Sequence, residues 1–451
     1  MMINVRNLSI TICLLLLAAS LFAGGFALTG VGSRATSMGG AFRGLSDDSS
    51  AMYWNPAGLG FMNENSVHLG GTFILQSATW DPNGSAMTGI PGYEDKEYEA
   101  EQSLRMFPTL TALKAKESRL KYGLGIYVPY GLGTTWDAYE LPTGMTYESG
   151  FPEDEMMSSI AVFDVHPTLA YRLTPILSIG AGLSAMYGTI DINKIGFSTI
   201  LDSIFAVPFP YIAPISTELS GTGFGIGANF GMMLQATECL SVGLSGKLPS
   251  TIAMEGDADI NLWKPASVDS LGNVIAASTI GGKSDIEADL KLPAEIGIGF
   301  AYKVKPNWTV SLDYAYTMWD RLDEVVIELQ DTHPLVSGGE STLVFDWENT
   351  SRISLGTEYL LSCNKLRAGF FYDQTPIPES TQIPTLSDVS DKLSFNLGWG
   401  KAFGAFELEA NAQYVMFSER EIEATEQTPD NVVGIYNSNS ISGNIGLTYR
   451  F

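Results

Sequence analysis

The sequence predicts an all-β protein, a 14-stranded antiparallel transmembrane β-barrel with an N-terminal hatch, or plug, inside the lumen. Three observations support this prediction: a secretory signal at the N-terminus, apolar and polar residues that alternate with a period of two, and connections that alternate between short and long. The composition agrees, because only 17% of the 451 residues are charged, against about 25% in soluble domains.

Residues 1–23 have the organisation of a secretory signal peptide. Arg6 supplies a positive charge, the run from Leu8 to Ala19 is apolar, and small residues follow up to Ala23. This run is shorter than the ~20 residues that a spanning helix needs, and no longer apolar stretch follows. An inner-membrane helical protein is therefore excluded. Cleavage after Ala27 and a cytosolic protein with a buried N-terminal helix remain alternatives.

The sequence after the signal segment predicts strands that have one apolar and one polar face. From Ile441 to Phe451 the odd positions are apolar or glycine, and the even positions are polar residues or glycine. Strict alternation is typical of a strand with a different environment on each face. The same pattern recurs at 177–185, 308–316, 393–399 and 406–414.

Connection lengths give the strand number. Six short turns and seven long loops make thirteen connections, and therefore fourteen strands over residues 66–451. Tight turns on one side and long loops on the other are typical of outer-membrane barrels, in which closure leaves no unpaired edge in lipid. A secreted β-sandwich would alternate too, but would not need this regularity. The short turns fall near 116–119, 174–175, 237–239, 303–307, 361–364 and 403–405, and the long loops near 81–105, 133–157, 198–220, 261–282, 330–340, 378–390 and 421–436.

Residues 24–65 do not alternate and precede the first strand, so we predict that they form the hatch that fills the lumen. Asn55 and Pro56 form a stiff turn that the asparagine amide can cap, and Ala57 and Gly58 allow a close approach to the barrel wall. This turn is expected to act as the hinge of the hatch, against the third strand near Pro129. The adjacent acidic residues Asp47 and Asp48 are expected to pair with cations of the lumen.

The third predicted strand, Tyr122 to Gly133, contains a proline and several glycines. Pro129 lacks the N–H that a strand interior needs, and proline within a strand indicates an edge or a bulge. Because a closed barrel has no edge, Pro129 and Gly131 indicate a local gap between strands. Alternatively, Pro129 lies at the extracellular rim, where pairing ends.

The loop at 198–220 is unusually apolar, which is typical of a binding surface. We predict that it captures substrate, although it could instead pack into the barrel mouth. The capture residues are Ile204, Phe205, Phe209, Tyr211 and Ile212.

The alternation of odd and even positions along the strands predicts that three basic side chains face the lumen. A carboxylate ligand would bind them there. They are Lys247, Arg352 and Arg367. Each could equally belong to a network with Asp or Glu, and a neutral hydrocarbon would need none of them.

Enzymatic and nucleic-acid functions find no support. No G-x-S-x-G nucleophile motif occurs, and the three histidines are scattered without a cysteine or serine motif beside them. We therefore expect no catalytic residue, no metal and no cofactor. A net charge of −25 argues against nucleic acid as a partner.

Five segments in order along the chain resemble the FadL/TodX family of outer-membrane transporters for long-chain fatty acids and other hydrophobic compounds. They are GFALTGVGSRATSMGGAFRGLSDDSSAMYWNPAGLG from Gly25, VPYGLGTTW from Val128, HPTLAYRLTPILSIGAGLSAMYG from His166, LPAEIGIGFAYKVKPNWTVSLDYAYTMW from Leu292 and LRAGFFYDQTPIP from Leu366.

The resemblance implies passive uptake of long-chain fatty acids or aromatic hydrocarbons across the outer membrane of a Gram-negative-type bacterium. Loops would capture the substrate, the hatch would move, and release would be lateral, at a kink in the third strand. The implied partners are a hydrophobic small molecule, outer-membrane lipid and lipopolysaccharide, and the barrel-assembly machinery acting on the strand that ends at Phe451; a monomer is expected. A non-specific porin or a structural, adhesin-like barrel is the alternative.

Overall fold

Long antiparallel strands make up most of the chain in this computed structural model, which describes residues 25–82, 96–116, 118–139, 149–152, 156–200, 211–268, 274–336, 339–386, 389–428 and 430–451. The predicted signal peptide, residues 1–23, lies outside the described residues.

Fourteen strands form the barrel wall, as predicted. Each pairs with its neighbours in the chain, and the last pairs with the first from Ser66↔Arg450 to Asp81↔Ile435, which closes the barrel. The strands are β1 (Ser66–Asp81), β2 (Leu104–Lys114), β3 (Leu120–Trp136), β4 (Met156–Arg172), β5 (Leu177–Ile200), β6 (Tyr211–Gln235), β7 (Leu240–Lys247, continuing as Ser250–Lys264), β8 (Ser278–Leu292, continuing as Ala294–Lys305), β9 (Trp308–Met318), β10 (Thr350–Leu361), β11 (Asn364–Asp373), β12 (Lys392–Phe403), β13 (Phe406–Phe417) and β14 (Gly434–Arg450).

The alternation in sequence corresponds to the two faces of the wall. On β14, Ile441 and Ile445 are exposed on the outside, whereas Ser442 and Asn444 are buried in the interior. An outward apolar row is what lipid requires, and an inward polar row is typical of such barrels. The period of two therefore follows from the different environments on the two sides.

The six short turns lie where the sequence predicts them, but some long loops do not. In the predicted loop at 198–220, the described residues 198–200 and 211–220 belong to strands, because β5 and β6 remain paired from Asn193↔Glu218 to Ile200↔Tyr211. The loop at 261–282 is likewise shortened by pairing from Ser278↔Lys264. Backbone that leaves the membrane still satisfies its hydrogen bonds best by continuing the ladder.

The connection between β9 and β10 is longer than the predicted 330–340. It spans residues 319–349 and contains a hairpin, Glu324–Leu329 with Glu340–Val344, which pairs with β8. Two further short strands add to the wall: Tyr98–Glu99 beside β1 and Arg420–Ile422 beside β14.

The segment before β1 contains three short helical elements: α1 (Ser33–Ser37), α2 (Ala51–Trp54) and a 3₁₀ helix (Pro56–Phe61). In this segment Ala35, Met38, Phe42 and Leu59 are buried. Its polar groups bond to inward-facing groups of distant strands, including Asp313 of β9 and Glu358 of β10. Residues 25–65 therefore lie inside the barrel. In the described parts of the chain, no helix has both the length and the hydropathy of a membrane span.

Candidate functional site

Strands β2 and β3 separate part-way along their length. Their pairing runs only from Lys114↔Tyr122 to Leu110↔Ile126, although both strands continue beyond it. On its other side β3 pairs with β4 throughout, apart from a register shift between Tyr127 and Tyr130. The bulge therefore holds Val128 and Pro129 within the strand, rather than at a rim where pairing ends.

The N-terminal residues Phe26 to Leu28 occupy the place that β2 leaves. The Leu28 N–H donates to the Pro129 carbonyl at 3.0 Å, and the Gly131 N–H donates to the Phe26 carbonyl at 2.9 Å. Ala27 then lies opposite Tyr130 in an antiparallel bridge. Unpaired backbone groups cost several kcal/mol in hydrocarbon, so this short bridging segment stabilises the free edge of β3.

Gly131 allows a neighbouring side chain into the same gap. A Cβ atom at this position would lie 3.1 Å from the Phe107 ring of β2, closer than nearly all such contacts. The absence of a side chain thus admits Phe107 beside Leu28. Side chains and the N-terminal residues, rather than strand pairing, fill the opening between β2 and β3.

An aromatic box holds Phe26, whose ring is buried. The ring centre lies 5.0 Å from that of Trp319, 5.6 Å from that of Trp347 and 5.7 Å from that of Tyr130. Aromatic pairs at these distances each contribute about 0.5–1.5 kcal/mol beyond burial. Both tryptophans belong to the connection 319–349, so this extracellular loop anchors the start of the N-terminal segment.

Two interior cavities adjoin the N-terminal residues. A cavity of about 80 Å³ beside the gap is lined mainly by apolar groups, such as Leu28, Phe107 and Val415, and its lining also includes Arg105 and Lys392. A second, of about 50 Å³, is charged. Its lining includes Arg43, Tyr130, Lys247, Glu295, Trp319 and Arg352.

Of the three predicted carboxylate-binding cations, Lys247 and Arg352 meet in this charged cavity. The Lys247 ammonium lies 3.6 Å from Glu295 and 3.9 Å from the centre of the Tyr53 ring. The Arg352 guanidinium donates to the Thr29 carbonyl at 3.0 Å. Both therefore face the lumen, as parity predicted.

Arg367 lies elsewhere, in a separate cluster of charges. Its guanidinium is 2.6 Å from Glu358 and 2.8 Å from Glu409, and its side chain is fully buried. With Glu407 at 3.9 Å, Arg367 contacts three carboxylates, and it does not line the cavity that holds Lys247 and Arg352.

The Asn55–Pro56–Ala57–Gly58 turn has the predicted hydrogen bonds of the asparagine amide, but it does not lie at the predicted position. The Asn55 side chain accepts from the Ala57 N–H at 3.2 Å and donates to the carbonyls of Arg43 and Met232, so the amide both caps and bridges. A Cβ at Gly180 of β5 would lie 2.5 Å from the Pro56 carbonyl carbon.

The predicted position of this turn against β3 near Pro129 is therefore wrong. Gly180 of β5 and Gly231 of β6 admit the turn, whereas the stretch of β3 around Pro129 carries the bulky Tyr127 and Tyr130. Gly58 also approaches Ser46 of its own segment rather than the wall. The third strand is instead contacted by Tyr53, whose ring centre is 5.5 Å from that of Tyr127.

The predicted pairing of Asp47 and Asp48 with lumen cations is also wrong. Both contact Arg34 of their own segment, Asp47 at 2.5 Å and Asp48 at 3.8 Å. Arg34 in turn binds the barrel carboxylate of Glu358 at 2.8 Å. Burial alone would lower the pKa of Arg34, but the carboxylates of Asp47 and Glu358 raise it above its usual range, so the guanidinium stays charged.

Arg43 is a second anchor, which sequence reasoning missed. Its guanidinium lies 2.6 Å from Glu295 and 3.6 Å from Asp313. The Asp313 carboxylate also accepts the backbone N–H groups of Phe42 and Arg43 at 3.0 and 2.8 Å. The sequence did contain a sign of this anchor, because Asp313 is an acidic residue at a lumen-facing position of a strand.

Substituting Arg43→Met should loosen the N-terminal segment without opening the wall. Loss of one partner of a buried pair costs about 3–5 kcal/mol, and we expect the lower value because Glu295 keeps its contact with Lys247. Amide hydrogen exchange in residues 25–65 should then accelerate by roughly 100-fold. Exchange in β10 to β14 should not change.

Lys291→Met is the matched control, because it removes a partly exposed pair with Asp323 at 2.9 Å. Such pairs are worth only about 0–1 kcal/mol, so exchange in residues 25–65 should remain at the wild-type rate. Equal exchange in the two variants would show that Arg43 does not anchor the segment.

The predicted capture residues are only partly within the described chain. Ile204, Phe205 and Phe209 lie outside the described residues. The backbones of Tyr211 and Ile212 belong to β6, where they pair with Ile200 and Thr199. Their role in capture stays a prediction.

The family model for outer membrane protein transport proteins (OMPP1/FadL/TodX) matches residues 14–451. The chain belongs to the FadL/TodX family. This family consists of outer-membrane transport proteins, so the chain is an outer-membrane protein.

Curated relatives of this FadL/TodX protein match over most of their length. A long-chain fatty acid transport protein of Salmonella typhi is 21% identical over 408 residues, which cover 88% of each chain. Outer membrane protein P1 of Haemophilus influenzae is 24% identical over 399 residues, covering 80% of this chain and 79% of that protein.

Solved structures of the FadL/TodX type share the fold. A Pseudomonas aeruginosa FadL homologue superposes with a TM-score of 0.76 at 16% identity, covering 94% of this chain and 99% of that one. The toluene transporter TodX of Pseudomonas putida gives a TM-score of 0.68 at 17% identity, with coverage of 94% and 98%. At such identities the agreement concerns the fold alone.

Proposed function

We propose that this protein takes up hydrophobic small molecules passively across the outer membrane, by loop capture, movement of a hatch and lateral release. The substrates would be long-chain fatty acids or aromatic hydrocarbons, the classes named for the relatives from Salmonella typhi and Pseudomonas putida. In this proposal residues 1–23 are a signal peptide, residues 24–65 are the hatch, and Asn55–Gly58 forms its hinge.

The observation that carries the proposal is the interrupted pairing of β2 and β3. A closed barrel that spans lipid is expected to pair every strand along its full length. Here the ladder ends at Leu110↔Ile126, and Phe26 to Leu28 bond to the free edge beyond it. Once the proposed signal peptide is removed, this segment is the end of the chain, and it can leave more easily than a barrel strand, which is held on both sides.

The cavities suggest the route through the protein. Substrate captured at the extracellular loops would first enter the charged cavity of Lys247 and Arg352. Withdrawal of Phe26 to Leu28 would join this cavity to the apolar cavity at Phe107, from which the opening leads sideways into lipid. Lys247 and Arg352 line the charged cavity and contact one carboxylate each, Glu295 and Asp373. Arg367 is outside this cavity and contacts three carboxylates, so we assign a fatty acid carboxylate to Lys247 and Arg352.

A porin fits these features less well. An open water-filled pore would not need an interior segment held by Arg34 and Arg43, and it would not need an opening in its wall. The exposed Phe451 side chain at the C-terminus is consistent with our proposal that the barrel-assembly machinery recognises this strand. We expect a monomer surrounded by outer-membrane lipid and lipopolysaccharide.

Uptake of labelled oleate and toluene by cells with and without the gene tests the proposed function. We expect the gene to accelerate uptake of at least one of the two compounds several-fold. No acceleration of either, together with a steady ion conductance of the purified protein in planar bilayers, would contradict the transporter and favour the porin.

The variant Lys247→Met tests the carboxylate assignment within the same assay. A charged hydrogen bond contributes about 1.5–3 kcal/mol, so the apparent affinity for oleate should fall by about tenfold or more. Toluene has no carboxylate, and its uptake should change less than twofold. An equal loss for both compounds would mean that Lys247 only supports the structure.

A further inference from the structure

A third interior cavity, of about 40 Å³, lies directly behind the bulge of β3. It is separate from the cavity beside the gap but shares Tyr53, Tyr130 and Lys247 with the charged cavity. Besides these three residues, its lining includes Tyr127, Asp164, His166 and Ser184.

Asp164 is the acidic residue of this cavity, and a chain of hydrogen bonds fixes its position. Its Oδ2 atom accepts from the Ser184 hydroxyl at 2.9 Å and lies 3.3 Å from His166 Nδ1. His166 Nε2 lies 3.1 Å from Asn229 Oδ1, and Asn229 Nδ2 donates to the Met52 carbonyl at 2.7 Å. The carboxylate is therefore held by three barrel strands and the N-terminal segment.

The other carboxylate oxygen has no such partner. Asp164 is only 4% exposed, and its Oδ1 atom is buried and accepts no hydrogen bond from any residue that the structure describes. A buried acceptor without a donor is costly, and native structures rarely keep one without a reason. A site lined by three tyrosines and a rigid carboxylate is suited to an apolar molecule that brings the missing donor.

We infer that Asp164 binds the hydroxyl group of a neutral, hydroxylated hydrophobic substrate, such as a phenol. The inference rests on the proposed function and adds to it a class of substrate that needs no carboxylate. Lys247 in the same cavity disfavours a cationic donor, and Asp164 itself disfavours an anion. A hydroxyl group can donate to Asp164 Oδ1 and accept from the Lys247 ammonium.

The size of the cavity agrees with this assignment. A volume of about 40 Å³ accommodates a hydroxyl group and the adjoining edge of a ring, while the rest of the molecule would extend past Tyr130 into the charged cavity. A water molecule could also supply the donor, since a cavity needs only about 10–15 Å³ to hold one. An experiment must therefore separate a substrate site from a structural water site.

Calorimetric binding of three ligands to the purified full-length protein makes this distinction. The ligands are p-cresol, its O-methylated analogue 4-methylanisole, and toluene, which share one apolar body and differ in the hydroxyl group. At pH 7 p-cresol is neutral, like the tyrosine side chain that it resembles. We expect wild-type protein to bind p-cresol about tenfold more tightly than either other ligand.

The substitution Asp164→Asn keeps the size of the side chain and exchanges a charged acceptor for a neutral amide. It should reduce the affinity for p-cresol about tenfold and leave toluene and 4-methylanisole within twofold. Asp191→Asn, the same exchange at an exposed position of β5, is the control and should bind all three ligands as the wild type does.

Two results would overturn the inference: equal affinity of the wild-type protein for the three ligands, or unchanged p-cresol binding by Asp164→Asn. Either would leave Asp164 with a water molecule only. The comparison among ligands uses the wild-type protein, so it holds even if the variant fails to fold. The proposed function fails separately, if cells show no uptake of p-cresol, toluene or oleate although the purified protein binds p-cresol selectively.

Discussion

Removal of residues 24–64, with the signal segment joined directly to Asn65, should convert the protein into an open pore. The N-terminal segment fills the lumen with buried side chains such as Met38, Phe42 and Leu59, and a barrel of fourteen strands is wide enough to leave an aqueous channel without them. In planar bilayers we expect steady, large conductance steps for the deletion variant and none for the full-length protein.

The variant Arg43→Met is the control for this experiment, because it loosens the segment but does not remove it. It should show at most brief openings. A deletion variant with the circular dichroism of a folded barrel but no conductance would contradict the prediction, since the lumen would then be closed by something other than residues 24–64.

The barrel could be predicted from the sequence because two physical constraints act on every strand. Lipid on one side and the polar interior on the other impose a period of two, and closure imposes a turn or a loop at each end. The residues at which the loops begin and end were harder to predict. Outside the membrane no second environment marks where a strand ends, so the pairing of β5 with β6 extends into the predicted loop at 198–220.

In the candidate site, the sequence could predict only which side chains face the lumen, because this follows from the alternation along each strand. Alternation placed Lys247 and Arg352 in the lumen, and the structure brings them to one cavity. Parity does not say which distant segment lies opposite a side chain. Asp47 therefore pairs with Arg34 rather than with the wall, and Arg43 meets Asp313, a residue 270 positions away.

The cluster of Asp164, His166 and Ser184 shows the same limit. Asp164 and His166 are two positions apart and so share the inner face of β4, but the serine comes from β5, through the pairing of the two strands. A search for local histidine motifs could not find this arrangement. Reading the inward rows of adjacent strands side by side would have found it.

The most direct test of lateral release is a disulfide between residues 27 and 130. Ala27 and Tyr130 face each other in an antiparallel bridge, and the hydrogen bonds lie on their neighbours. Such non-hydrogen-bonded pairs have Cα atoms about 4.5 Å apart, within the range of a disulfide. The variant Ala27→Cys/Tyr130→Cys needs a background in which the exposed Cys239 and Cys363 are replaced by serine.

Oxidised cells that carry this variant should take up toluene and oleate no faster than cells without the gene, because Phe26 to Leu28 can no longer leave the gap. A reducing agent should restore uptake to the rate of the two single-cysteine variants. If fully cross-linked protein transported at the reduced rate, substrate would not pass through the opening between β2 and β3, and the proposed lateral route would be wrong.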